Sequence, residues 1–221
     1  MIPRLRKLYP SWEPSLRLSR LGTRPNSPGV ISVPQGKGTP GWLYLTRNPL
    51  PEAYWIPRTE NAAATPVRFV MDERCFEETL FRVERTSTHL YIADVWMWNG
   101  TPIFHTKTFQ ERQSFLERVF TLYTSCPGFE TYALELRSSL TEIRGTEYYT
   151  AEKGARGIFV EKAGNMCDIV RTDVPDVYRL SNGGYLRVKT LELSKKLRML
   201  GAAFTLDCQK NEDGTWSPVS F

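Results

Sequence analysis

The 221 residues carry 29 Lys and Arg against 24 Asp and Glu, a formal charge of +5, with 41% hydrophobic and 12% aromatic side chains. That apolar content excludes a disordered chain, and a chain of this size buries about 70% of its unfolded surface without help from disulfides or a structural metal. No apolar run reaches the 18 or so residues of a membrane span, no signal-type block follows Met1, and Cys75, Cys126, Cys167 and Cys208 lack the close pairing of a zinc site, so the expectation is an intracellular protein with reduced thiols, no membrane, no metal and no cofactor.

The charge is confined to the start of the chain. Residues 1–25 hold Arg4, Arg6, Lys7, Arg17, Arg20 and Arg24 against Glu13, which accounts for the whole +5 and leaves a neutral body. Pro3, Pro10, Pro14, Pro25 and Pro28 are helix breakers. Residues 1–29 are therefore read as a basic, Pro-rich extended arm. Three uses stay open: a solvated tail, an arm over residues 1–25 that grips RNA or an acidic protein, or a mitochondrial import sequence, against which the prolines count.

Strand signals dominate the single domain expected over 30–221. Trp42 to Thr46 is β-rich, and Ala53 to Ile56 follows the turn Asn48-Pro49-Leu50-Pro51. Val67 to Met71, Thr79 to Val83 and Leu90 to Trp98 read as three more strands. Asn99-Gly100 is a strong hairpin signal, with Ile103-Phe104 as the return strand. Trp96 and Trp98, two apart, are assigned to one face and to the core; Trp42 and Trp55 are assigned to core or sheet cover. Thr108-Phe109-Gln110-Glu111 is a capping box. Phe115, Leu116, Val119, Phe120 and Tyr123 then share one helical face, leaving Arg112 and Arg118 as helix-surface groups. Gly157 to Glu161 and Tyr185 to Lys189 read as strands. A helix fits Leu191 to Leu200, and a hairpin around Asn211-Glu212-Asp213-Gly214 closes the chain. The class is α+β: largely antiparallel sheets with a few inserted helices.

Much catalytic chemistry has no counterpart here. His89 and His105 are the only histidines, and neither stands in a nucleophile-base pattern. No P-loop, GxGxxG loop or HExxH helix occurs. Asp72 and Glu73 are adjacent, so in a strand they point to opposite faces. No catalytic residue is assigned.

Six segments fall in a recognisable order: Gln35 to Leu45, which contains Lys37; Ala53 to Arg58; Val70 to Glu73; Tyr91 to Ile103, followed by the helix with Arg112 and Arg118; Gly157-Ile158-Phe159-Val160; and Leu186-Arg187-Val188-Lys189. Over about residues 30–200 this order resembles the nucleotidyltransferase fold of mRNA guanylyltransferases and polynucleotide ligases. It is more similar still to snurportin cap-binding domains, non-catalytic members of that group. The departures carry as much meaning. The enzymes' Lys-x-Asp-Gly becomes Lys37-Gly-Thr-Pro, and Arg156 stands where an acidic residue precedes the glycine of the fourth motif. Exchanging a carboxylate for a guanidinium moves a metal site's charge balance by two. The resemblance therefore implies recognition without nucleotidyl transfer, in a chain too short for the additional OB-fold domain of the enzymes.

The same resemblance places a guanine platform at Tyr185, within Asn182 to Arg187, where snurportin has tryptophan. Base stacking on an aromatic contributes roughly 1–3 kcal/mol, and a cationic methylated guanine gains more. Arg187 and Lys189 flank Val188 and share a face that would meet phosphates; Arg68 and Lys37 are further candidates. Against these stand plainer readings: Tyr185 as a half-buried strand aromatic, Arg187 and Lys189 as a solvated face, Lys37 as a loop lysine. The expected function is a non-catalytic module for an RNA 5′ end (cap) or guanine nucleotide. The alternatives are a structural protein of a viral particle or large ribonucleoprotein that keeps only the fold, and a surviving guanylyltransferase using Lys37.

Overall fold

Pro3 occupies the first turn of a helix, where its missing N–H leaves no bond unmade. In the computed structural model, which describes residues 1–155, 157–162, 165–181 and 183–219, that helix is α1, Ile2–Leu8. Leu5, Tyr9 and Trp12 are all buried. Their spacing of four and then three residues forms one apolar stripe, and Pro10 falls beyond the helix. The stripe outweighs the prolines, so the extended arm expected over 1–29 is corrected: its first half is part of the core. Trp12 meets Trp42 edge-on with centroids 5.7 Å apart, and Trp42 Nε1 donates to the Pro14 carbonyl oxygen at 2.9 Å. Arg4 pairs with Glu78 and Arg6 with Glu13, so part of the basic charge is already neutralised.

The chain divides into two compact units, 1–161 and 162–221, in place of the single domain expected over 30–221. In the first unit, α1 is followed by β1 (Ser19–Arg20), β2 (Ile31–Gly36), β3 (Thr39–Arg47), β4 (Pro51–Pro57), β5 (Thr65–Val67), β6 (Val70–Met71), β7 (Thr79–Arg85), β8 (His89–Trp98) and β9 (Thr101–Pro102). Next come α2 (Phe109–Phe120), β10 (Tyr123–Thr124), β11 (Ala133–Leu136), β12 (Ile143–Tyr149) and β13 (Gly157–Lys162). The main sheet runs β11-β8-β7-β3-β4-β5, with β9 on β8. All its pairs are antiparallel except β8–β11. A smaller sheet runs β1-β13-β12-β2, and β6 pairs with β10. The expected strand Val67 to Met71 is thus two strands with different partners.

The main sheet is buried on both sides, as alternation along β3 shows: Leu43 and Leu45 join one apolar cluster, Trp42 and Tyr44 another. Along β8 that alternation is broken twice. The register against β7 slips between Ile92 and Asp94 and again between Val95 and Met97. Each extra residue is a β-bulge that turns the following side chain over. Trp96 therefore packs with Trp42, while Trp98 packs in the opposite cluster, and the shared face expected for the pair is corrected. Asn99 and Gly100, at φ 47° and 74°, make the expected turn with both residues left-handed. The return strand is Thr101–Pro102. Ile103 and Phe104 instead both donate their amides to the Trp96 carbonyl. The Thr108/Glu111 capping box opens α2 with both reciprocal bonds present.

The second unit holds β14 (Asn165–Arg171), β15 (Tyr178–Leu180), α3 (Leu191–Met199), β16 (Ala203–Lys210) and β17 (Trp216–Pro218). Its sheet runs β15-β14-β16-β17, all antiparallel. The expected strand Tyr185 to Lys189 is reduced to two bridges that join the sheet's two edges. Tyr185 pairs antiparallel with Arg179 on β15, and Leu186 pairs parallel with Trp216 on β17. Five segments close on themselves, with α3 between the third and fourth in chain order. This is the connectivity of an OB-type barrel, and it corrects the expectation that the chain has no room for one. Two of the strands are only three residues long, which is how the barrel fits. Cys167, Ile169, Tyr178, Leu180, Leu186, Cys208 and Trp216 fill it, with Leu197 of α3 buried against them. Gly184 is held close to Trp216: a Cβ there would lie 3.2 Å from the indole.

Candidate functional site

The residues expected to bind ligand fall into three places. Lys37 lies in the β2–β3 turn, where the chain passes from the smaller sheet to the main one. Gly38 presses this turn onto β7, since a Cβ would stand 2.9 Å from the Arg85 carbonyl oxygen. The Lys37 side chain is 63% exposed and faces Glu142 at 3.8 Å. It lines a polar groove of about 500 Å³ together with Thr39, Arg85, Thr86, Ser87 and Tyr132. The Arg85 guanidinium lies 3.6 Å from the Trp55 ring centroid, a cation–π contact that fixes its plane. Arg68 belongs to a different, largely apolar groove of about 470 Å³, lined by Tyr54, Val67, Phe69, Met71 and Phe129. Its guanidinium sits 5.9 Å from the Phe129 centroid. Tyr185, Arg187 and Lys189 belong to the barrel.

Between β7 and β12 the first unit also buries an ion cluster that sequence reading did not find. Glu147 Oε2 accepts from Arg82 Nη2 at 2.6 Å, Arg137 Nη1 at 2.7 Å and the Tyr149 hydroxyl at 2.6 Å. Its other oxygen accepts from Gln35 Nε2 at 3.0 Å. Glu84 lies 3.6 Å from Arg137. Burial alone would push the Glu147 carboxyl up, but Arg82 and Arg137 together hold it well below the usual carboxylate range. The same surroundings push Tyr149 up to about 12, burial first. The sequence signal was there: Arg82 and Glu84 alternate with Phe81 and Val83, so they face the side opposite the apolar cluster. Close by, burial and the like charges of Arg82, Arg17 and Arg144 pull Arg58 down to about 10. Arg112, expected on the helix surface, is fully buried and forks onto Asp94 at 2.8 and 2.9 Å. A bidentate, charge-assisted pair of this kind is structural. Glu147, Glu84 and Asp94 are thus each taken up by arginine. Among the described residues no three His, Cys, Asp or Glu side chains gather as metal ligands do. Arg156 and Asn182 lie outside the described residues.

The barrel presents the one place where expected residues converge. Leu186 is buried and Val188 partly so, while Tyr185, Arg187 and Lys189 are exposed. The alternation expected of that segment therefore holds without a full strand. Tyr185 is 55% exposed. Directly across the bridge stands Arg179, which pairs in register with Val170, itself paired with Ala203. Partners in register point to one side, so Tyr185, Arg179, Val170 and Ala203 form an outward row, and all four are exposed. Arg187 Nη1 donates to Asp213 Oδ2 at 2.9 Å. The Asp213 carboxyl is held below its ordinary value first by bonds from Thr215 and then by Arg187. Among the described residues Arg179 and Lys189 have no ion-pair partner. Arg179 was missed because β15 is too short to show a period.

No family model matches the chain, and no curated protein matches its sequence.

Proposed function

We propose that the chain is a non-catalytic module that binds an RNA 5′ end or a guanine nucleotide through the outer wall of its second unit. The observation that carries this is the exposed Tyr185 ring set in register beside Arg179, with Arg187 and Lys189 on the same side of the following chain. An aromatic face takes a base, and flanking cations take phosphate. Recognition without turnover is supported in the first unit. Lys37 is a solvated turn residue facing Glu142, and the buried carboxylates Glu84, Glu147 and Asp94 already neutralise Arg137, Arg82 and Arg112. The sequence resemblance to snurportin cap-binding domains points to the same ring, Tyr185, although it also grouped Lys37 and Arg68 with it.

Titration of the chain with a 7-methylguanosine cap dinucleotide and with GTP tests it, read by quenching of tryptophan fluorescence, since Trp216 lies under Gly184 beside Tyr185. Saturable quenching that is lost in Tyr185→Ala is the expected result; no quenching at millimolar ligand refutes it. Incubation with labelled GTP and a divalent cation tests for nucleotidyl transfer, and a Lys37-dependent covalent label would overturn the non-catalytic part. The assembly reading is weakened by the core position of Leu5, Tyr9 and Trp12, because an anchor folded into the body is not free to reach a partner.

A further inference from the structure

We infer that the outer wall of the barrel holds a single-stranded RNA segment of several nucleotides, laid across the row Tyr185–Arg179–Val170–Ala203, rather than one nucleotide alone. This rests on the nucleotide-binding reading above and extends it from a spot to a path. Adjacent strands lie about 4.8 Å apart, so the four-member row spans roughly 14 Å, more than one stacked base covers. Along it the chemistry alternates as a single strand requires: an aromatic at Tyr185, a guanidinium without an ion-pair partner at Arg179, an aliphatic surface at Val170, 51% exposed. Met166, 70% exposed, lies farther along β14 on the same side, with Asp168 between it and Val170. Lys189 extends the positive edge beyond Tyr185, while Arg187 between them is paired with Asp213. Asp168, bonded by Thr205 Oγ1 at 2.9 Å, is the acidic group on the next row and marks the side away from which a phosphate backbone would run. A protein partner is the other outcome the test separates; an exposed aromatic beside cations without an ion-pair partner is the combination that single strands use. Stacking and phosphate contacts of this kind do not depend on base identity, so the surface is expected to tolerate any sequence.

The test is fluorescence anisotropy on the full chain with 5′-fluorescein-labelled octauridylate, competed by unlabelled octauridylate, UMP, GTP and a cap dinucleotide. Octauridylate is expected to compete at least tenfold better than UMP. Tyr185→Ala should weaken it by roughly 5- to 150-fold, the range of one lost stack, and Tyr185→Phe should restore it. Arg179→Ala and Val170→Asp should each weaken it tenfold or more. Lys195→Ala, an exposed cation on α3, should not. The log–log salt slope should be about −1.4 to −2, as expected for two or three phosphate contacts to a single strand. Circular dichroism and thermal melts check that every variant is folded. If GTP or the cap dinucleotide binds at Tyr185 but octauridylate competes no better than UMP, the path is wrong while the nucleotide reading stands. If no probe binds, both fail. Octauridylate binding that ignores Arg179 and Val170 overturns the path, and so does self-association of the chain that Val170→Asp abolishes without any RNA binding, which would assign the wall to a protein.

Discussion

Replacing Trp12 with alanine should destabilise the first unit by about 3–5 kcal/mol, the range for truncating a fully buried tryptophan. Trp12 has no exposed surface and stands edge-on to Trp42 at 5.7 Å, a contact of a kind that contributes about 0.5–1.5 kcal/mol beyond burial. One term runs the other way. Among the described residues its indole N–H has no hydrogen-bond partner, and a buried unsatisfied donor costs about 1–3 kcal/mol. Trp12→Phe keeps most of the ring and removes that donor, so it should cost less than about 1.5 kcal/mol. A free basic arm would give a different answer, since surface substitutions usually stay within about 0.5 kcal/mol. Urea unfolding followed by tryptophan fluorescence is a suitable assay, because five of the six tryptophans precede residue 161. A chain lacking residues 1–12 should lose its cooperative transition, as total stabilities are only about 5–15 kcal/mol. If Trp12→Ala shifts stability by less than 0.5 kcal/mol and the truncated chain unfolds at the same urea concentration, then the packing of α1 against the main sheet is wrong.

Further outcomes follow from the ion cluster, the cap and the wall. Glu147→Gln leaves Arg82 and Arg137 buried without their shared carboxylate and should cost about 3–5 kcal/mol by chemical unfolding. The Glu147 carboxyl titrates below its unfolded value of about 4.3. The stability it confers is therefore complete above that pH and lost as pH falls toward the folded value; the acid limb of a pH–stability curve should be shallower in Glu147→Gln. Thr108→Ala removes the α2 cap and should cost about 1 kcal/mol in a thermal melt. Tyr185→Ala should change stability by less than about 0.5 kcal/mol, a larger loss pointing to a structural role for the ring.

Features fixed by neighbouring residues could be read from the sequence. Asn99-Gly100 needs only two left-handed residues to form its turn, and Thr108 with Glu111 needs only one helical turn. The prolines of the N-terminus misled because their effect depends on position: Pro3 starts α1 and Pro10 follows it, so neither interrupts the stripe of Leu5, Tyr9 and Trp12. Trp96 and Trp98 misled because a bulge resets the two-residue period, and nothing local marks one. Ile143–Tyr149 and Asn165–Arg171 gave no clear strand signal, yet one carries Glu147 and the other carries Val170 and the barrel's longest pairing. Of the five candidate binding residues, Tyr185, Arg187 and Lys189 share the outer wall because two-residue alternation survived there. Lys37 and Arg68 were joined to them only by motif order, and the structure puts each in its own groove.

The closing bridges between residues 185–186 and the two ends of the small sheet have a consequence for what that unit can receive. The Leu186 amide donates to Tyr178, the Arg187 amide to Trp216, and the Trp216 amide to Tyr185, so the main-chain groups at both margins are already engaged. Among the described residues, an incoming peptide reaching residues 185–187 would find these main-chain donors already taken. Whatever docks there has to be held by side chains, and exchanging a handful of surface residues would change its guest without disturbing the cylinder beneath.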